Sequence, residues 1–416
     1  MNFIIHQICG EAVSLPGIDD GGHRLPYHVH MPDLPLPLLA FGFLVAWVGH
    51  ACICTPGLNY IYGRPYSKAI LRPWRLTTGI IILAFPLLPV LLLSRQGSGT
   101  GPWWTVALAY LGACLAFGAI VFPTITLYRL LRRAPSALVS VQTETIDFGI
   151  DRSVEVRGTG RWAWAGRIPF NDIYRVDFTH FTLALPGLPA GWDGLTILLL
   201  SDLHFHGTPG QGFFERVMDR LMAGPPPDLV CLAGDFVDSD THGAWIGPIL
   251  GRLKATVGKF AILGNHDDHH HPAALRQELA GAGYQVVGNG WAEATARGQP
   301  FLVVGHEGPW FTPPPDLSTA PPGLFRLCIS HTPDNFYWGQ RHGIQLMLCG
   351  HVHGGQIRIP VVGPIFIPSV YGRRFDSGVF EGSGTVMAVC RGLSGKEPLR
   401  FRCHPQVVRI TLREKG

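Results

Sequence analysis

Charge is what this chain has least of. Asp, Glu, Lys and Arg make up 15% of its 416 residues against 47% hydrophobic, a balance too apolar for a purely soluble protein of this size. The shortage is local. Residues 35–55, 76–93 and 103–128 contain no Asp, Glu, Lys or Arg, and each has, or nearly has, the length that crosses a hydrocarbon core of about 30 Å as a helix. Three such runs predict an α-helical transmembrane region over 35–133, although Pro86 and Pro89 interrupt the middle run and proline kinks or breaks a helix interior. A basic stretch before the short apolar run 1–9 is missing too, which argues against a cleaved signal peptide. So is a disulfide framework: the nine cysteines are odd in number and irregular in spacing. Cys231, Cys328, Cys349 and Cys390 lie in apolar runs, where a thiol behaves as a small hydrophobe. Cys52 and Cys54 form a CxC that leaves packing, metal binding and lipid attachment open. Net charge is only +4 and is accounted for by residues flanking the apolar runs, which gives no case for nucleic acid as a partner.

The basic residues that are present sit where membrane topology is decided. Arg64, Lys68, Arg72 and Arg75 separate the first two runs with no acid among them, and Arg129, Arg132 and Arg133 follow the third. Between the second and third runs stands Arg95 alone, while the N-terminal segment sets Arg24 against Glu11, Asp19, Asp20 and Asp33. This asymmetry predicts three spans, an extracytoplasmic segment over 1–34, and everything after Arg129 in the cytoplasm.

Beyond the membrane region the chain is built from apolar strands that end in polar residues. A β-rich connector is expected over 134–192, with β-like pieces at 137–141 and 153–157. Residues 195–200 read as a buried strand, followed at once by Asp202 and His204. A helix over 212–222 leads to a strand over 228–233, which ends near Asp235 and Asp238. A helical segment over 245–254 leads to a strand over 260–263, ending in Asn265, His266 and Asp267. More strands are expected at 285–287, 301–304, 324–329, 344–348, 385–390 and 407–412. One of these ends at His331, another at the run GHVHGG over 350–355 with His351 and His353. The pattern predicts an α/β fold, a two-sheet β-sandwich flanked by helices, with ligand groups at the carboxyl ends of strands. In an extended backbone residues i and i+2 share a side, so both members of the DxH and HxH pairs face one pocket, and the glycines let another group approach closely. Taken alone, an HxH pair leaves metal ligation, a solvated strand and a core hydrogen-bond network all open.

Collected in chain order, these groups read DxH, GD, GNHD, H and GHxH. The series resembles that of the calcineurin-like metallophosphoesterases over residues 193–416. Within that superfamily it is most similar to the membrane-associated bacterial branch, with Gln356-Ile357, Ile359-Pro360 and an RGL element at 391–393. The resemblance implies a catalytic domain holding two divalent metal ions, manganese, iron or zinc. It puts Asp202, His204 and His353 on one ion, Asn265, His331 and His351 on the other, and Asp235 on both. It further implies attack on phosphorus by a hydroxide bridging the two ions, with His266 serving the leaving oxygen and Asp267 orienting that imidazole.

The expected activity is hydrolysis of a phosphoester or pyrophosphate bond, on a membrane lipid or nucleotide-linked lipid because the enzyme is anchored. A soluble phosphate ester is the alternative substrate. A catalytically silent tethered scaffold is the alternative class, and the complete ligand set argues against it. Several groups keep two readings. Asp238 could accept a hydrogen bond from behind a ligand histidine or cap a loop. Asp268, His269, His270 and His271 could line a substrate mouth or form a solvated loop. Arg373 and Arg374 could grip a second phosphate or stand as a surface pair. Trp310, Phe311, Phe336, Tyr337 and Trp338 could form an apolar rim or pack in the core. The hexapeptide GHEGPW at 305–310 replaces an acidic turn common in related sequences, a departure that bears on substrate and leaves the ligands untouched.

Overall fold

The computed structural model describes residues 13–18, 24–29, 35–88 and 102–415. The chain divides into two units, Met1–Pro56 with Arg72–Leu131, and Gly57–Leu71 with Arg132–Gly416. Strands β1 (Val13–Ile18) and β2 (Arg24–Val29) pair antiparallel, and the rest of segment 1–34 lies outside the described residues. Two helices, Leu36–Tyr62 and Thr105–Leu131, are each 27 residues long and apolar enough to cross a membrane. The second contains a π-helical turn, Phe117–Val121, just before Pro123, which has no N–H to continue the regular ladder. The middle apolar run is helical within Lys68–Ala84, and from residue 89 it lies outside the described residues. Polar side chains tie the helices of this unit together. His50 Nδ1 bonds the Tyr110 hydroxyl at 2.6 Å and its Nε2 the Ile81 carbonyl at 3.1 Å, while Trp47 Nε1–H donates to the Ile82 carbonyl at 2.7 Å. The Cys54 thiol packs 3.8 Å from His50 Nε2.

In the second unit, β3 (Leu138–Asp147), β4 (Arg175–Leu185), β5 (Thr196–Leu200), β6 (Leu229–Leu232), β7 (Gly258–Ala261) and β8 (Gln285–Val286) come first. They are followed by β9 (Gly290–Ala296), β10 (Gln299–His306), β11 (Phe325–Ser330) and β12 (Leu346–Cys349). A hairpin, β13 (Arg358–Ile359) with β14 (Gly363–Pro364), precedes β15 (Gly378–Gly382), β16 (Thr385–Val389) and β17 (Gln406–Glu414). One sheet has the order β3-β4-β17-β5-β6-β7-β8, the other β15-β16-β12-β11-β10-β9. Strands β5 to β8 are parallel, as are β10, β11, β12 and β16, so within each set the carboxyl ends share one edge.

The central strands are predominantly apolar because both their faces are covered. Ile197 and Leu199 of β5 and Leu229 and Cys231 of β6 share a core with Leu346 and Leu348 of β12 between the sheets. Leu198, Leu200, Val230 and Leu232 turn the other way, against Phe213, Phe214, Val217 and Met218 of the helix Gln211–Met222. Met347 and Cys349 pack with Phe336 and Phe375 on the far side of the second sheet. Trp192 sits edge-on to Phe301, ring centroids 4.9 Å apart, and donates its indole N–H to the Ala296 carbonyl at 3.1 Å. This is the expected two-sheet sandwich flanked by helices.

Two expectations about residues 134–192 fail. The piece at 153–157 is a short helix, Val154–Arg157, because the Asp151 carboxylate accepts the Ser153 N–H at 2.8 Å and turns the chain. Nor is the segment a separate connector: β3 and β4 belong to the seven-stranded sheet, and β4 pairs along its length with β17.

Candidate metal centre

The expected site residues lie just past strand ends. Asp202 and His204 follow β5, Asp235 follows β6, Asn265 and His266 follow β7, His331 follows β11, and His351 and His353 follow β12. The DxH and HxH pairs are not extended, however, as their spacing suggested. Asp202, His204, Asp235, His351 and His353 have φ of 54°, 46°, 59°, 70° and 50°, the left-handed region that residues other than glycine seldom enter. The side chains therefore converge through turns and not through strand alternation. Such conformations cost on the order of 1–3 kcal/mol each and persist only where surrounding bonds over-determine them. Here the Asp202 N–H donates to the Gly234 carbonyl at 2.9 Å and the His204 N–H to the Asp235 carbonyl at 3.0 Å. A Cβ on Gly350 would stand 2.6 Å from both Ser201 Cβ and Asp202 Oδ2. That close approach lets the His351 N–H donate to both Asp202 oxygens at 3.0 Å.

Three groups of potential ligand atoms result among the described residues; one is His204, Asp238 and His266, and the other two consist of expected ligands. Asp202, His204, Asp235 and His353 offer atoms within 4.8 Å of one another, and so do Asp235, His331 and His351. Asp235 belongs to both. His204 Nε2 is 3.2 Å from His353 Nε2 and 3.6 Å from Asp235 Oδ2. His331 Nε2 is 2.9 Å from Asn265 Oδ1 and 3.5 Å from Asp235 Oδ2. The other ring nitrogens are held from behind, His204 Nδ1 by Asp238 Oδ2 at 2.9 Å and His331 Nδ1 by the Ala233 carbonyl at 2.7 Å, which fixes each imidazole as a metal ligand needs. Buried Asp235 Oδ2 and His351 Nε2 have no hydrogen-bond partner among the described residues, a condition buried polar atoms rarely tolerate. The orphaned atoms and the mixture of imidazole, carboxylate and amide donors fit divalent cations.

Electrostatics divide the imidazoles of the cluster into two pairs. Burial drives His351 and His353 well below the ordinary imidazole range, keeping them neutral with lone pairs available. Burial pushes Asp235 up, but His331 and His266 outweigh it and hold the carboxyl well below the usual range. For His204 and His331 burial is again the largest influence and lowers both, yet Asp238 beside the first and Asp235 beside the second help to raise each to about 9. Burial raises the Asp202 carboxyl, so the negative charge of the cluster is concentrated on Asp235 and Asp238.

Asp267 does not orient His266. Its oxygens accept backbone N–H groups from Asp235 at 2.9 Å, Phe236 at 2.8 Å, Val237 at 3.2 Å and Gly264 at 2.8 Å, so it ties together the turns after β6 and β7. Burial, and then Asp235, push its pKa up to about 7 against the pull of those donors. Asp238 holds His266 instead, one oxygen bonding His266 Nδ1 and the other His204 Nδ1. Burial pushes Asp238 up, but the two imidazoles hold it well below the carboxylate range.

The departure at 305–310 contributes Trp310, whose ring lies 4.7 Å from that of His351 and 5.5 Å from that of His331. The rest of that turn is bracing. Glu307 is buried, accepts the Leu263 N–H at 2.7 Å and pairs with Arg276 at 2.9 Å. His306 Nδ1 accepts the Gly308 N–H at 3.2 Å. Phe336, Tyr337 and Trp338 belong to the outer core of the second sheet, and Phe311 packs with the helix-side core. Arg373 donates to the Val362 carbonyl, and Arg374 lies over the Tyr337 and Phe375 rings. His270 bonds Asp240 at 2.7 Å and His271 is exposed.

Sequence reasoning missed Arg400. Wholly buried, it donates to the carbonyls of Arg391 and Ser394 and, at 3.4 Å, of His353. The loop it clamps supplies Leu393 and Ser394 N–H groups to the Ser201 and Asp202 carbonyls at 3.0 and 2.8 Å. A lone arginine between Leu399 and Phe401 carries no periodic signal that would mark it.

The calcineurin-like phosphoesterase family matches residues 195–355, from the start of β5 through the HxH turn, and the chain belongs to that family. It is accordingly a metal-dependent hydrolase of phosphoric esters. Among its relatives is the uncharacterized metallophosphoesterase YkuE of Bacillus subtilis, 30% identical over 257 residues, 60% of this chain and 89% of the relative. The phosphodiesterase YaeI of Escherichia coli is 31% identical over 52% of this chain and 81% of its own length. The UDP-2,3-diacylglucosamine pyrophosphatase LpxG of Chlamydia trachomatis is 25% identical over 59% of this chain and 91% of its own.

Proposed function

We propose that this enzyme is anchored in a membrane, binds two divalent cations, and cleaves a phosphoester or pyrophosphate bond of a membrane lipid or nucleotide-linked lipid from the cytoplasmic side. The observation that carries the two-ion reading is Asp235, shared by both ligand groups with Oδ2 left without a hydrogen bond. In this reading Asp202, His204 and His353 hold one ion, Asn265, His331 and His351 the other, and Asp235 both; manganese, iron and zinc all suit such donors. Bound cations supply Lewis acidity toward phosphoryl oxygens and bring the pKa of water toward neutrality.

The chain's own residues do the rest. Asp238 fixes His266 through Nδ1, which leaves Nε2 to serve the leaving oxygen as a proton donor. Asp267 holds the turns that carry Asp235 and His266. Trp310 forms an apolar wall beside His331 and His351.

Anchoring is supported by the two 27-residue apolar helices, and a cytoplasmic catalytic unit by the basic residues at the ends of the apolar runs. In this organisation residues 1–34 are extracytoplasmic and 35–133 form the membrane region. A lipid substrate is supported by the anchor and by similarity to LpxG, whose name states a UDP-linked diacylglucosamine. A soluble phosphodiester is the second reading, favoured by the similarity to YaeI.

The test is metal content by mass spectrometry with hydrolysis of bis-p-nitrophenyl phosphate and of a UDP-linked lipid, each with and without manganese. About two metals per chain with lipid cleavage is the expected result. Cleavage of the chromogenic ester alone would favour the soluble substrate. One metal per chain at full activity would overturn the two-ion reading.

A further inference from the structure

We propose that the β13–β14 hairpin seats the catalytic unit on the bilayer: its apolar tip enters the interfacial layer of a membrane with acidic headgroups, which sets the mouth of the metal cluster at the lipid surface. Where that bilayer lies rests on the anchoring proposed above; the hairpin's fitness for it rests on four observations within the catalytic unit.

The first is exposure. Ile357, Ile359, Val361 and Ile365 are all exposed, Val361 by 70%. Scattered surface hydrophobics are ordinary, but four exposed on and beside one short hairpin point to a contact surface.

The second is conformation. Val361 has φ 68°, a region that a β-branched residue enters only under strain. A hairpin turn of this kind is normally given to glycine or asparagine. Exposed and strained, this valine gains nothing from water, and it gains from an apolar environment that covers it.

The third is charge. Residues 356–376 contain Arg358, Arg373 and Arg374 against the single acid Asp376, which pairs with Arg358, so the segment keeps a net positive charge through Arg373 and Arg374. Apolar side chains interleaved with arginine suit the boundary between acidic headgroups and acyl chains, and this charge complementarity favours a membrane over a protein partner.

The fourth is what the base of the hairpin touches. Residues 57–71, the last turns of the first apolar helix and the basic loop after it, belong to the same unit. Asn59 Oδ1 accepts the Ile367 N–H at 3.1 Å, and the Tyr62 and Phe366 rings meet edge to face at 5.3 Å. Tyr60, Tyr66 and Ile70 of this segment are exposed, and tyrosine favours membrane interfaces. At 1.5 Å per residue, the hairpin base therefore lies within a turn or so of the end of a helix long enough to span a bilayer.

The hairpin is also stiffly joined to the centre. It begins just after His353. A Cβ on Gly355 would stand 2.4 Å from Pro364 Cβ, so the returning strand is packed directly onto the turn that carries the histidine. Arg358 pairs with Asp376 at 3.1 Å and donates to the Gly354 carbonyl at 3.0 Å.

The test uses the full chain in nanodiscs of phosphatidylcholine and phosphatidylglycerol. Cys9, Cys52 and Cys54 are replaced by serine, and a nitroxide is placed at Val361→Cys or, as an exposed control, at Lys254→Cys. Seating predicts that oxygen collides with the label at 361 more, and a water-soluble nickel chelate several-fold less, than at 254. Equal access of the nickel chelate to both would overturn the proposal, whatever the substrate proves to be. A Val361→Asp/Ile365→Asp variant is then expected to lose turnover on lipid in vesicles while keeping that on bis-p-nitrophenyl phosphate. Loss of both activities would make the hairpin a support of the centre's fold and overturn its role at the surface. A seated label with lipid turnover unchanged would overturn the claim that seating sets the mouth.

Discussion

Asp238 is the residue whose replacement separates two ways of acting on the same centre. In Asp238→Asn the side chain keeps its shape and one carbonyl oxygen, but its NH2 faces an imidazole that had been donating to a carboxylate. Both His204 Nδ1, at 2.9 Å, and His266 Nδ1 are bonded to Asp238, so one bond is lost and the negative charge behind both rings disappears. A hydrogen bond to a charged group is worth roughly 1.5–3 kcal/mol, which corresponds to a fall in kcat on the order of 10- to 100-fold. Loss through His204 appears as weaker metal binding and recovers with added manganese. Loss through His266 persists at saturating manganese, is larger for an ester with a poor leaving group, and shrinks when His266→Ala is already present, since coupled residues are not additive. The assay is therefore kcat on bis-p-nitrophenyl phosphate and on an alkyl ester across a manganese series, in single and double variants. Asp238→Asn within twofold of the parent on both esters at every manganese concentration would refute the positioning role.

Asp235→Asn removes the carboxylate common to both ligand groups and is predicted to abolish metal retention and turnover together, read by mass spectrometry and ester hydrolysis on the same sample. Gly350→Ala puts a Cβ 2.6 Å from Ser201 Cβ and Asp202 Oδ2; overpacking of this kind costs about 1–3 kcal/mol, to be seen as a lower melting temperature and lost metal, and an unchanged melting curve would count against the packing described. Burial lowers His306 from an ordinary 6.5 to about 4, so the folded protein resists a proton that the unfolded chain accepts. That stability is fully present above pH 6.5 and is lost as pH falls toward 4, about 3 kcal/mol in all. His306→Gln should flatten the fall in melting temperature between pH 7 and 4.5, and an identical pH slope in the variant would remove His306 as its cause.

How much of this was readable in advance depends on whether a residue's own preference agrees with its place. The central strands were legible because both faces are buried, so residues 195–200 and 344–348 are apolar without alternation. The site was legible as well, since Asp, Asn and His recur wherever such a strand stops. The edge strand β3 was much less so: Val139 and Val141 are exposed, and its pattern lacks the apolar face that marks a core strand. Asp267 was misread because adjacency to His266 in the chain suggested a contact, whereas the turn aims its carboxylate at four backbone N–H groups. Asp238 reaches His266 from another strand end, which no local spacing records.

The backbone conformations and burial that were not legible share a physical cause. Asp202, His204, Asp235, His351 and His353 stand in left-handed conformations that their residue types disfavour. Arg400 is a cation buried among carbonyls, and Val361 is a β-branched residue at a turn position suited to glycine. Reasoning from propensity expects none of them in these conformations or surroundings, because propensity describes what a residue does when nothing else constrains it. Natural sequences hold such conflicts where structure alone would remove them, so the conflicts themselves carry functional information. For the five Asp and His positions that information is the cluster they form. By the same logic Val361 points to a surface outside the protein, and the nitroxide measurement at that position decides whether the surface is a bilayer.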